Sequence, residues 1–112
     1  MNVIYIQRGD SVDFIPKSDV KAGDVIVQGE LVGIAKLDIP AGNLGALAVT
    51  GVFEMSKVSS LIEAGSKVYW DGSKVTKSAD DGQTPPAKYA LLGKSISQAE
   101  ATDETILVRL TQ

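Results

Sequence analysis

This sequence of 112 residues contains no cysteine and no histidine. Without cysteine it can form no disulfide bond, offers no thiolate nucleophile and cannot build a zinc–thiolate site. Without histidine it lacks the side chain that most often serves as a general base or a metal ligand. These absences remove the common routes to catalysis and metal binding, so we expect a protein without enzymatic activity and without a cofactor.

Basic charge and long apolar runs are also scarce. The net charge is −3, with 11 Lys and Arg against 14 Asp and Glu, which gives no basic surface of the kind that binds nucleic acid. No apolar run approaches the roughly 18–20 residues that span a bilayer. The start of the chain also lacks the basic region and apolar core of a signal peptide. We therefore expect a soluble protein, made in the cytosol, with no direct nucleic-acid partner and no membrane partner.

Large aromatic side chains are few, whereas glycine is common. The chain has two Phe, one Trp and 11 Gly, and 44% of its residues are hydrophobic. This composition is typical of a turn-rich β protein with small core side chains. Residues 1–112 are expected to form one domain, and so short a chain gains stability from oligomerisation.

The densest pattern lies between residues 47 and 76. Apolar residues recur at every second position from Leu47 to Met55, which predicts a strand with one buried face. Residues 59–64 break this period and predict one short helix. Residues 67–70 form a further strand, closed by Asp71-Gly72 as a two-residue hairpin loop. That loop would place Trp70 opposite Ser73, Tyr69 opposite Lys74 and Val68 opposite Val75, with both valines on one face.

The other predicted strands are short and separated by turn residues. They are residues 3–7, 12–15, 24–28, 31–37, 89–97 and 105–110, with a tight connection at Gly29-Glu30 and an exposed, mobile loop over residues 77–88. About eight short strands with one short helix predict an all-β domain, either a small barrel or a sandwich.

Two features of this pattern suggest contact surfaces. The segment VIYIQ, residues 3–7, is apolar on both faces, so residues 1–7 are either an ordinary edge or core strand or an arm that pairs with a neighbouring subunit. Trp70 is interpreted as a core residue or an interface anchor, and Tyr69, on the opposite face of the strand, is the better interface candidate. The candidate residues for contact with a partner or a neighbouring subunit are Val3, Ile4, Tyr5, Ile6 and Tyr69.

Motifs for chemistry are incomplete. Gly93-Lys94-Ser95 matches the end of a phosphate-binding loop, but the position that requires the first glycine is Lys88. Asp80-Asp81-Gly82 lacks the alternating acidic ligands of a calcium loop. Asp13, Glu54 and Asp71 are the carboxylates nearest to strand patterns, and no motif unites them. The expected sets of catalytic, cofactor-binding and metal-binding residues are therefore empty.

The chain as a whole resembles the DUF2190 family of small phage and prophage proteins, which are capsid cement or decoration proteins. The resemblance rests on a set of short segments spread along almost the entire chain. These segments are QRGD at residues 7–10, KAGDVIV at 21–27, LVGIA at 31–35, GVFEM at 51–55 with Lys57, AGSKVYWD at 64–71, LGK at 92–94 and VRL at 108–110.

The resemblance implies a β-rich protein that assembles as a homotrimer on the outside of an icosahedral phage head. Its partners would be the major capsid protein and further copies of itself, and it would be made in the cytoplasm of the host bacterium. No catalytic motif is implied. Two alternatives remain open: a prophage-encoded β-barrel module that binds a small ligand or peptide outside the virion, and an enzyme with carboxylate chemistry.

Overall fold

A computed structural model describes residues 3–83 and 85–111 of the chain. These residues form nine β-strands in two antiparallel sheets, and they contain no helix and hence none that could cross a membrane. The strands are β1 (Ser11–Phe14), β2 (Val25–Gln28), β3 (Leu31–Ala35), β4 (Gly45–Ala48), β5 (Gly51–Ser56), β6 (Lys67–Trp70), β7 (Val75–Thr76), β8 (Ala90–Ser95) and β9 (Thr105–Leu110). The all-β prediction is confirmed, and the predicted short helix is wrong.

The first sheet has the strand order β1-β4-β3-β2. Strands β2 and β3 form the hairpin that the sequence predicts at Gly29-Glu30, in the register Gln28 opposite Leu31. One face of this sheet carries Leu47, which packs with Val20 and Ile39 from the flanking loops. The two loops meet at a backbone bridge between Val20 and Ile39, so the chain covers this face with its own connections.

The second sheet has the strand order β5-β9-β8-β6-β7. Its strand β9 alternates as the sequence predicts, because Ile106, Val108 and Leu110 are buried while Leu107 and Arg109 are exposed. Such alternation is produced by a strand with one face against the core and the other toward solvent.

One hydrophobic cluster joins the two sheets. Val32 and Ile34 of β3 pack in the same cluster as Val68, Leu92 and Val108 of the second sheet. The strand pairing itself leaves two separate sheets and does not close them into a barrel.

The predicted continuous strand from Leu47 to Met55 is divided between the two sheets. Strand β4 ends at Ala48 in the first sheet, and β5 begins at Gly51 in the second. The backbone turns here because Gly51 adopts φ 120°, a conformation that only glycine enters at low cost. The period of two nevertheless continues from β4 into β5, because each strand directs apolar residues toward the core that its own sheet covers.

The helix predicted over residues 59–64 is absent because its central residue pairs elsewhere. Ile62 is fully buried, and its N–H and carbonyl each bond to Ala99 at 2.9 Å. A segment of this length is also too short to form a stable helix unaided, since helix nucleation is unfavourable.

The hairpin between β6 and β7 is real, but the predicted register is wrong. Trp70 lies opposite Val75 and Tyr69 opposite Thr76, so the loop is Gly72-Ser73. The Asp71 carboxylate accepts the amides of Ser73 at 2.9 Å and Lys74 at 2.7 Å, which places Asp71 at the start of the turn rather than inside it. Val75 therefore does not lie opposite Val68, although both valines are fully buried.

Residues 3–7 do not form the predicted strand in this chain. They pair with no other strand among the described residues, and Val3, Ile4, Tyr5 and Ile6 are between 72% and 80% exposed. Met1 and Asn2, the rest of the predicted arm, lie outside the described residues. The interpretation as an internal core strand is therefore wrong, and residues 3–7 are called the N-terminal arm below.

Gly93 offers a test of the second sheet. It lies in β8 between β6 and β9, beside an irregularity in the β6–β8 register, with φ 154°. A Cβ at this position would meet the carbonyl oxygen of Arg109 and the amide of Thr111. We expect Gly93→Ala to lower the free energy of unfolding by about 3 kcal/mol or more, as measured by urea denaturation.

Gly9→Ala is the matched control for this substitution. Gly9 has no positive φ, and a Cβ added to it would have no atom within 4 Å, so its stability should change by less than about 0.5 kcal/mol. Equal stability of the two variants would contradict the packing described for β8.

Candidate functional site

The N-terminal arm is the most exposed apolar segment of the described chain. Its side chains Val3, Ile4, Tyr5 and Ile6 lie in solvent, and its backbone groups make no sheet pairing. An unpaired extended segment offers both main-chain hydrogen-bonding groups and apolar side chains to a partner. The arm therefore exposes apolar side chains and backbone groups that no described strand pairs with.

The arm is fastened to the domain at its base. Asp10 accepts the amide of Val49 at its carbonyl (3.0 Å) and the hydroxyl of Thr50 at Oδ1 (3.2 Å), and it forms an exposed ion pair with Arg8 at 2.9 Å. Gln7 Nε2 donates to the carbonyl of Ser11 at 3.2 Å. These contacts hold the base of the arm to β1 and to the connection between β4 and β5.

Tyr69 and Trp70 divide between the two faces of β6. Trp70 packs against the shared hydrophobic cluster, which confirms its interpretation as a core residue. Tyr69 points to the opposite face and is half-buried, opposite Leu91 of β8 and Thr76 of β7. Its role at an interface stays a prediction.

The predicted contact residues do not form one continuous patch. The arm precedes the edge strand of the first sheet, whereas Tyr69 lies inside the second sheet. A depression of about 340 Å³ is lined by Gly9 and Thr50 at the base of the arm and by Arg109 of β9, and Tyr69 does not line it. The base of the arm thus lies next to the end of β9.

This surface contains residues that the sequence alone did not single out. Arg109 of β9 lies opposite Val52 of β5 and Lys94 of β8, and Lys94 lies opposite Lys67 of β6. All four side chains are exposed. We define the outer face of the second sheet by Val52, Lys67, Tyr69, Lys94, Leu107 and Arg109. The signal for it is long-range strand register, which no local sequence pattern contains.

A second apolar surface was also missed. Ile15, Leu37 and Leu44 are each at least 60% exposed. Ile15 directly follows β1 and Leu44 directly precedes β4, and the last paired residues of these two strands are Phe14 and Gly45. Sequence periodicity placed Ile15 and Leu37 inside predicted strands, whereas all three residues fall beyond the strand ends in the structure.

Lys57 is the one charged residue of the described chain that the core encloses, with 3% exposure. Its ammonium donates three hydrogen bonds, to the carbonyls of Val58 (2.9 Å), Glu100 (2.7 Å) and Asp103 (3.2 Å). These bonds use all three donors of the group and hold the β8–β9 loop to the end of β5. The role of Lys57 is structural.

The described residues contain no group of three or more carboxylates that could hold a metal ion. Asp13 lies in the first sheet, Glu54 lies in the second, and Asp71 is engaged in its turn. Burial raises the pKa of Asp71, but hydrogen bonds from Ser73 and Lys74 and the charge of Lys74 outweigh burial and leave that pKa below its ordinary value. Gly93-Lys94-Ser95 lies within strand β8, which is not the strand-to-helix turn of a phosphate-binding loop.

The aspartates of the loop over residues 77–88 accept hydrogen bonds from backbone amides of the same loop. Asp80 accepts the amide of Gly82 at 2.9 Å, and Asp81 accepts those of Gln83 (2.9 Å) and Ala87 (3.1 Å). Its acidic oxygens therefore shape the loop, and its described residues are largely exposed, as the sequence predicts.

Lys57→Met tests the structural role of the buried ammonium. Methionine is of similar length but removes three hydrogen bonds, and only the carbonyls of Val58 and Glu100 keep a second donor, the amides of Ser60 and Asp103. We therefore expect a loss of about 2 kcal/mol in the free energy of unfolding. Lys36→Met, at an exposed position, should change stability by less than about 0.5 kcal/mol. Urea denaturation of both variants is the measurement, and an unchanged Lys57→Met would show that the three bonds contribute nothing net.

Comparison with known proteins gives one match. A family model described as phage cement protein matches residues 6–110. No curated protein and no solved structure matches the chain.

Proposed function

This chain belongs to the phage cement protein family, and on that premise we propose that it decorates the outside of the expanded phage head. There it binds the major capsid protein and stabilises contacts between neighbouring capsid subunits. Family membership supports the decorating role. The observation that carries the proposed mode of binding is the exposed N-terminal arm.

The energetics of the arm favour strand pairing over simple apolar contact. Burying four side chains such as Val3, Ile4, Tyr5 and Ile6 contributes roughly 6–12 kcal/mol when burial is complete. Ordering a five-residue backbone costs about 5–10 kcal/mol. Because these magnitudes nearly cancel, apolar contact alone gives little net binding. Main-chain hydrogen bonds to the edge of a partner's sheet supply the remaining affinity and fix the register.

Assembly of several copies amplifies this modest binding. We propose a homotrimer, in which each copy contributes one arm, so that binding of the first arm raises the local concentration of the others. The exposed residues Ile15, Leu37 and Leu44 supply further apolar area for contacts between copies or with the shell. In this proposal the protein is made in the host bacterium and becomes part of the virion exterior.

Deletion of residues 1–7 tests the role of the arm. The truncated protein should keep its fold, because the arm pairs with no described strand. We expect it to lose most of its occupancy on purified, expanded heads that lack decoration, measured by co-sedimentation and by cryo-EM. Circular dichroism and the oligomeric state in solution serve as controls for folding and assembly.

Two outcomes of that experiment are decisive. If the full-length chain itself fails to bind the heads, the decorating function is wrong. If the truncated chain binds with full occupancy and assembles normally, the function stands but the arm does not carry it.

Tyr69→Ala tests the second predicted contact. Tyr69 is half-buried on the outer face rather than in the core, so its removal should weaken head binding by about 2 kcal/mol, or roughly 30-fold, if it anchors an interface. Tyr69→Phe retains the ring and should bind nearly as the native chain does. Native affinity of Tyr69→Ala on heads, together with an unchanged oligomeric state, would remove Tyr69 from the contact surface.

A further inference from the structure

The outer face of the second sheet carries a row of three cations in an acidic protein. Register places Lys67 of β6 beside Lys94 of β8, and Lys94 beside Arg109 of β9. Neighbouring strands lie about 4.8 Å apart, so the row extends over only about 10 Å. Like charges directly opposite each other across strands lower stability. The sheet therefore tolerates a local repulsion that no described contact relieves.

The charges of this row are unpaired within the described residues. None of its three side chains makes an ion pair there, and all three are exposed. The nearest carboxylate by register is Glu54 of β5, which lies opposite Leu107 and hence diagonal to Arg109. Three cations and one carboxylate give this face a positive charge, whereas the whole chain has a net charge of −3.

We propose that the outer face of the second sheet docks on an acidic protein surface whose carboxylates meet Lys67, Lys94 and Arg109. This deepens the proposed function and rests on it, because it states the chemistry of the shell surface that the protein recognises. The partner's carboxylates relieve the repulsion within the row, and complementary charge also steers the approach of the two surfaces.

The neighbours of the row favour a protein surface over the other possible occupants. Tyr69 and Leu107 flank the row, since each lies two residues along its strand from Lys67 or Arg109, and mixed apolar and charged contact is typical of protein interfaces. A second copy placed face to face would bring cation against cation. A nucleic acid would meet a chain of net negative charge, which repels a phosphate backbone at long range.

The location of the row agrees with the position of the arm. Arg109, at one end of the row, lines the same depression as Gly9 at the base of the arm. A partner that contacts the base of the arm can therefore also reach Arg109 at this end of the row.

A pair of charge-reversal variants tests this inference. K67E/K94E reverses the row, and K17E/K36E makes the same change in net charge at two exposed loop lysines. The dissociation constant for expanded, undecorated heads should rise at least about tenfold for K67E/K94E and stay near the native value for K17E/K36E. Circular dichroism checks that both variants fold.

The outcomes separate this inference from the proposed function. If the native chain binds heads and K67E/K94E binds equally well, or if both variants weaken equally, the docking face is wrong while the decorating function stands. If the native chain does not bind heads, both fail. Retention of a single-stranded oligonucleotide by the native chain, lost in K67E/K94E, would assign the row to nucleic acid and overturn the acidic-protein partner.

Discussion

The second sheet buries only one of its faces. This constraint determines which side chains are exposed on its other face. Strand β9 shows it most clearly, because Ile106, Val108 and Leu110 enter the core that Val32 and Ile34 complete from the first sheet. A shift of one residue in the pairing of β9 would turn Leu107 and Arg109 into the core in place of these three side chains. The core thus fixes the register, and the register aligns Lys67, Lys94 and Arg109 on the opposite face.

The same organisation explains the free arm. The chain covers the first sheet with its own loops through Val20 and Ile39, and it covers the second with the first. Residues 3–7 cover neither sheet, and their apolar side chains stay exposed. A domain that is complete without its arm can keep its fold while the arm exchanges solvent for a partner. In the proposed function the two sheets are the scaffold, and the arm is the segment that contacts the shell.

Sequence periodicity predicted the features that depend on neighbours along the chain. The alternation in β9 and the hairpin at Gly29-Glu30 were correct because burial and turn geometry act locally. The helix over residues 59–64 and the register after Trp70 were wrong because distant or competing partners decided them: Ala99 pairs with Ile62, and the Asp71 carboxylate begins the turn one residue later.

Of the candidate contact surfaces, the sequence likewise indicated one and not the other. The arm could be identified from the sequence as a run of apolar side chains. Only the structure shows that it pairs with no described strand. The cation row could not be foreseen, since it requires the pairing of β6, β8 and β9, which are separated by long loops.

Hydrogen–deuterium exchange of the arm amides, compared between the free protein and the protein bound to expanded heads, tests the central claim most directly. The account predicts fast exchange of residues 3–7 in the free protein and strong protection on the head, because strand pairing would bond those amides. Equally fast exchange of these amides on fully decorated heads would contradict it.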